Sequence, residues 1–146
     1  MSRPTEPYVH TRRILFGDTD AARVVYTPRF LEYAMEALDF WFTDRLGVSW
    51  YDMNVKFNVG TPFVHTAIDY RSALTPRDTL SCTVRLVKRG GSSLHFSVIG
   101  QAGDRLVFEA KLVCAVARTD IMKPTRPPAE WEPALAAELA IGAAGS

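Results

Sequence analysis

Two carboxylates, Asp18 and Asp20, stand at the end of an apolar run and just ahead of a Thr-Pro pair in LFGDTDAARVVYTPRFLEY, residues 15–33. A carboxylate so placed could act as a nucleophile or as a general base for water, without a metal or redox cofactor. A helix starting at Thr27-Pro28 would add unpaired backbone N–H groups, with the helix dipole behind them, to hold an oxygen as it gains negative charge. Asp20 precedes Thr27 by seven residues, a loop short enough to bring carboxylate and helix end to one spot. Pro28 has no N–H, which leaves Tyr26, Thr27 and Arg29 as possible donors. The competing reading of Asp20 is a solvated turn residue or a helix cap. If the preceding strand continues, Asp18 faces the other side and serves the turn by bonding backbone N–H groups.

The elements that must position these groups follow from periodicity. YVHTRRILFG (8–17) alternates and then turns apolar, a first strand. Thr27 suits an N-cap and Pro28 the first helical position, where a missing N–H costs nothing. From Phe30 to Leu46 apolar residues recur at three- and four-residue steps, predicting one long helix with a wide apolar face, stopped at Gly47. The stretch 48–62 reads as a loop rich in turn residues and aromatics, which leaves that helix as the only strong one in the first two-thirds of the chain. The period then changes to two. Strands are predicted at 63–72, 80–89, 94–101 and 105–119, with turns at TPRDT, GGSS and AGD. The tail holds a short helix around Ala129–Leu139 and then a fraying, small-residue end.

The expectation is an α+β fold in one domain spanning residues 1–146, with its core at about 8–120 and its tail at 121–146. About five antiparallel strands wrap one long helix. A single helix covers little of such a sheet, so self-association as a dimer or tetramer is expected.

The bulk numbers are those of a globular chain: 146 residues, 47% apolar, 23% charged and a net charge of +1. That charge argues against nucleic acid or an anionic membrane surface as partners. No run approaches the length of a membrane span, and MSRPTEPYVHTRR has no apolar core of signal length. Cys82 and Cys114 have no metal-type spacing and read as buried reduced thiols. The expected compartment is the cytoplasm, and no metal is expected.

The element order, together with FGDTDAARVVYTPRF, VGTPFV (59–64) and the strands after TPRDTL, resembles the hot-dog-fold acyl-CoA thioesterases, closest to the 4-hydroxybenzoyl-CoA thioesterase branch. The likeness runs from about Arg13 to about Ala117. It implies hydrolysis of a coenzyme A thioester with an aryl or other compact acyl group, at sites on a subunit interface. The family's catalytic aspartate falls on Asp20, and its oxyanion donor on the N–H at position 27. By the same resemblance Gly60, Thr61 and His65 belong to the strand entry that lines the acyl pocket, which the aromatic Tyr26 could help shape. Lys88, Arg89, Ser92 and Ser93 on a hairpin tip are a basic, glycine-opened patch for the phosphates of coenzyme A, thinner and shifted against the run that relatives carry there. Relatives usually carry glycine where Arg23 stands. Its side chain could point to solvent, pair with a carboxylate, or reach an anionic group of the substrate. Glu32, Glu36 and His95 are further acid/base candidates. Two rivals remain: a hot-dog hydratase, which needs an Asp/His pair, and a non-catalytic acyl-CoA-binding module.

Overall fold

The computed structural model describes residues 3–145. Strand β1 (Tyr8–Arg13) is followed by helix α1 (Arg29–Trp41), whose buried residues Phe30, Tyr33, Ala34, Ala37, Leu38 and Trp41 recur at the predicted steps. The long helix differs at its end. Phe42–Leu46 widens into a π turn, closed by Gly47 at φ 79°, a conformation that suits glycine.

Residues 48–62 are not all loop. Helix α2 spans Trp50–Phe57, with the Ser49 hydroxyl accepting from the Asp52 N–H, and β2 (Val59–Gly60) follows. The signal was a capping pattern, Ser49 with an acid three residues on, hidden among aromatics that read as loop.

Strands β3 (Phe63–Tyr70), β4 (Thr79–Arg89), β5 (Ser93–Ala102) and β6 (Arg105–Ala115) complete a five-stranded antiparallel sheet in the order β1-β4-β5-β6-β3. The predicted fourth long strand breaks at Val116, and Ala117–Arg118 (β7) leaves to pair with β2 and with β8 (Lys123–Pro124). One face of the sheet packs on α1: Leu80, Cys82, Val84 and Leu86 from β4, Leu94, Phe96 and Val98 from β5, and Ala110, Leu112 and Cys114 from β6 are all buried. This is the helix-in-sheet arrangement the sequence implied.

The C-terminal helix α3 runs Glu132–Ala144, past the predicted stop at Leu139. It does not fray because it packs on β4 beyond the point where β1 ends at the Tyr8–Val84 pair. Glycine permits the approach: a Cβ on Gly142 would sit 2.1 Å from the Leu86 carbonyl oxygen. Gly→Ala in a helix ordinarily stabilises by about 1 kcal/mol. Here the backbone must move, and Gly142→Ala is expected to destabilise by about 1–3 kcal/mol, read from the urea midpoint. An increase in stability would contradict this packing.

Candidate active site

The segment between β1 and α1 folds back on itself. Tyr26 N–H donates to Asp18 O (2.9 Å), Thr19 bridges Val25, and Asp20 N–H donates to Val24 O (3.0 Å). Residues 18–26 therefore form a tight hairpin loop with Asp20 near its tip and Thr27 at its base. Its shoulders are fixed to the β3–β4 connection by Ile14 N–H to Asp78 O (3.3 Å) and Val25 N–H to Leu74 O (2.9 Å).

The two aspartates differ as expected. Asp18 Oδ2 accepts from Leu15 N–H (3.0 Å) and from Arg12 (3.4 Å), holding the loop's entrance. Arg12 also bonds Glu36 (2.8 Å) and lies 4.7 Å over the Tyr33 ring. Burial first, then the Asp18 charge, push the Tyr33 phenol well above its usual pKa. Asp20 is exposed, and only its Oδ1 is engaged, accepting from Ala22 N–H (2.8 Å). Its Oδ2 has no partner among the described residues.

At the helix start the three candidate donors differ in what they bond. Pro28 is itself the cap residue, and α1 begins at Arg29, one residue later than predicted. The Thr27 hydroxyl makes no capping bond. Tyr26 N–H is spent on Asp18 O, and Arg29 N–H on Tyr26 O (2.9 Å). Thr27 N–H alone of the three has no acceptor among the described residues. Thr27 lines a cleft of about 380 Å³ with Val24, Phe30 and Tyr70. A free carboxylate oxygen and a free N–H at a helix start, on one loop, are the parts of a base-and-oxyanion site. Because the donor is backbone, Thr27→Ala is expected to change kcat/KM by no more than about twofold, the size of an ordinary surface substitution. A loss of the order of 10²–10³, as for a missing oxyanion donor, would assign the work to the hydroxyl instead.

The sequence profile of the thioesterase-like superfamily matches residues 14–139. The chain belongs to that superfamily. Its fold is the hot-dog fold of these enzymes: a thioesterase-superfamily structure from Jannaschia sp. CCS1 superposes with a TM-score of 0.81 at 33% identity, covering 91% of this chain and 96% of that one. The 1,4-dihydroxy-2-naphthoyl-CoA thioesterase from Synechocystis has the same TM-score at 21% identity, with 88% and 95% covered. By sequence, a 1,4-dihydroxy-2-naphthoyl-CoA hydrolase from Picosynechococcus sp. is 36% identical over 73 residues, 50% of this chain and 49% of the relative. That match spans about half of each.

In this thioesterase-superfamily chain the other predicted site residues separate into four places. Gly60 and Thr61 line a second cleft of about 380 Å³ with Met35, Trp50, Phe63 and Met122, and the Thr61 hydroxyl accepts from the Trp50 indole (2.9 Å). Leu31, Thr66, Ile68 and Tyr70 line a smaller depression between the two clefts. The three form a row along α1 and the β3 edge, from Thr27 to Met35 and from Tyr70 to Phe63. Tyr26 is exposed at the base of the loop.

His65 is not in that row. It pairs in register with Val113, whose neighbours Leu112 and Cys114 face the core, so alternation turns it to the outer face of the sheet, beside His95. The expectation that it lines the same pocket fails because the irregularity between Phe63 and His65 shifts the register. Nor does the hairpin tip meet this loop within one chain: β4 is 11 residues long, so Lys88–Ser93 lies roughly 33 Å from the end that carries Asp20. Arg89 is held by Glu132 of α3, Ser93 meets His95 (3.3 Å), and Ser92 O accepts from Val116 N–H (2.8 Å). Of the two predicted cations only Lys88 has no carboxylate partner among the described residues. The helix glutamates are occupied as well, Glu32 by Arg29 (2.9 Å) and Glu36 by Arg12 and His10.

Proposed function

We propose that the chain hydrolyses an acyl-CoA thioester, with Asp20 as nucleophile or general base and Thr27 N–H holding the oxyanion. The observation that carries this is the presence, on one hairpin loop, of an Asp20 Oδ2 without a partner and of the one N–H among Tyr26, Thr27 and Arg29 that has no acceptor among the described residues. As nucleophile, Asp20 attacks the thioester carbonyl and the thiolate of coenzyme A leaves, giving an anhydride that water opens. As base, it takes the proton of the attacking water. Histidine is not beside this carboxylate: His10 is bonded to Glu36, and His65 and His95 lie on the outer sheet face. That counts against the hydratase reading.

The working unit is a homodimer joined through β3. This strand pairs only with β6, and it exposes Val64 and Tyr70 on its free edge. An antiparallel dyad would set the Phe63 end of one β3 against the Tyr70 end of the other. The Gly60–Phe63 cleft of the second copy then adjoins Asp20 and Thr27 of the first. Trp50, Phe63 and Met35 in that cleft suit a compact, flat acyl group, in keeping with the aromatic acyl group in the Picosynechococcus relative's name. The compartment is the cytoplasm, a reading supported by two free, buried thiols that burial pushes up to about 12.

The test is release of free thiol from a panel of aryl and alkyl CoA thioesters by the wild type and by Asp20→Asn. Turnover that depends on Asp20 supports the reading. Binding without turnover makes the chain a carrier module and overturns it.

A further inference from the structure

Arg23 sits at φ 67°, the left-handed region that disfavours side chains with a Cβ. Two other non-glycine residues share it, Asn58 and Met122. Asn58 caps α2, a role in which asparagine is tolerated. Arg23 has no such excuse: its N–H closes the turn onto Asp20 O (3.0 Å), and glycine would do that without strain.

The side chain does nothing for the fold that offsets this. Arg12, Arg29, Arg45, Arg71, Arg89, Arg105 and Arg118 each hold a carboxylate. Arg3, Arg13, Arg77, Arg85 and Arg126, like Arg23, have no carboxylate partner among the described residues, but Arg23 is the one of these that lies on the Asp20 loop. Arg23 is exposed and has no hydrogen bond, ion pair or ring contact from its side chain among the described residues. It is not the partner of Asp20, three residues away. A strained turn therefore carries an unneutralised guanidinium on the same loop as the carboxylate proposed to do the chemistry, three residues from it.

We infer that Arg23 is a substrate-recognition residue whose guanidinium binds an anionic oxygen group carried by the thioester. This rests on the assignment of Asp20 as the working carboxylate. The group is a carboxylate or a phosphate, matched by the two-pronged donor geometry of the guanidinium. It comes either from the acyl portion or from the nucleotide end of coenzyme A. A backbone kept in an unfavourable region at a site is the mark of a constraint set by function rather than by folding.

The experiment compares wild type, Arg23→Gly, Arg23→Lys and Arg23→Ala on four thioesters: 4-carboxybenzoyl and 4-methylbenzoyl, each on coenzyme A and on pantetheine. Arg23→Gly should raise the melting temperature by about 2–4 °C, as relief of one strained residue in a chain of this size, so loss of fold does not confuse the result. The substrates carrying the recognised anion should lose about 10- to 100-fold in kcat/KM, mainly through KM, as for a lost charge-assisted hydrogen bond. Arg23→Lys keeps the charge without the two-pronged geometry and should recover only part of the loss, and Arg23→Ala should lose it without the gain in stability. A fall confined to the two carboxybenzoyl thioesters identifies the acyl group as the source. A fall confined to the two CoA thioesters identifies the phosphates. An equal change on all four, or no change, overturns the inference while leaving the Asp20 assignment standing. Failure of the wild type to hydrolyse any of them overturns both.

Discussion

Asp20→Asn is expected to lower kcat/KM by about 10³-fold, within the 10²–10⁴ range of a positioned base, while the melting temperature stays unchanged. The reason is geometric. The turn is held by Asp20 Oδ1 accepting from Ala22 N–H, and the Asn amide oxygen can accept the same bond. The substitution removes the charge and the nucleophilicity and leaves the loop in place. Asp20→Ala loses the bond as well, so its additional loss over Asp20→Asn measures what the turn contributes to positioning. Oxygen-18 from labelled water appearing in the Asp20 carboxyl after a single turnover would identify the nucleophilic route with water opening the anhydride at the Asp20 carbonyl. Label only in the released acid is common to the base and to an anhydride opened at its acyl carbon, and trapping of an acyl-enzyme separates those two. Activity of Asp20→Asn equal to wild type would remove Asp20 from the chemistry altogether.

Glu138→Ala is expected to have the largest effect on stability, about 3–5 kcal/mol, or roughly 10 °C in melting temperature at this chain length. Glu138 is almost wholly buried and accepts from Trp41 Nε1–H (2.9 Å) and from Arg45 (2.8 Å). Arg45 is 10% exposed and also donates to Glu6 O (2.8 Å). One carboxylate thus ties α3 to α1 and the π turn, and through Arg45 to the segment before β1. Truncating it strands a buried guanidinium and an indole N–H together, and the unpaired charge dominates the cost. Glu138→Gln keeps an acceptor for Trp41 and should cost about half as much. Adding Arg45→Met to Glu138→Ala should recover a large part, because the two residues share one interaction. Recovery would be absent if α3 were held by apolar packing alone. Urea midpoints of the four chains read this directly.

The parts of the fold that were legible in sequence are those where one periodicity persists. Ten or more residues of period two gave β4, β5 and β6, and Phe30–Trp41 gave α1, because each buries one continuous face. The misses sit where local geometry outweighs pattern. Helix α2 is short and has only Met53 fully buried, so its apolar signal was weak and the Ser49 cap was the better clue. The end of α3 looked like a frayed tail because glycine and alanine are poor in pattern, yet smallness is what lets Gly142 reach Leu86. Near the candidate site, the closeness of Asp20 and Thr27 was readable because both lie on one short loop. His65 and the hairpin residues were not, because their facing depends on a register irregularity and on the length of β4, which no motif encodes. The resemblance favoured the N–H at position 27; that the N–H groups of Tyr26 and Arg29 are engaged is a property of the folded loop alone.

Helix α1 carries two different burdens at its two ends. The Asp20–Thr27 loop meets its first turn and the Trp41–Arg45–Glu138 cluster its last, and its 13 residues separate them by about 20 Å. Changes that far apart combine almost independently. A lineage can therefore try new residues around the loop and the β3 trench, including a conformationally costly one such as Arg23, without eroding the contacts that keep the chain above its folding threshold. The division leaves the helix N-terminus free to change at little cost to stability, and makes its C-terminus the place where mutations act on the abundance of the protein.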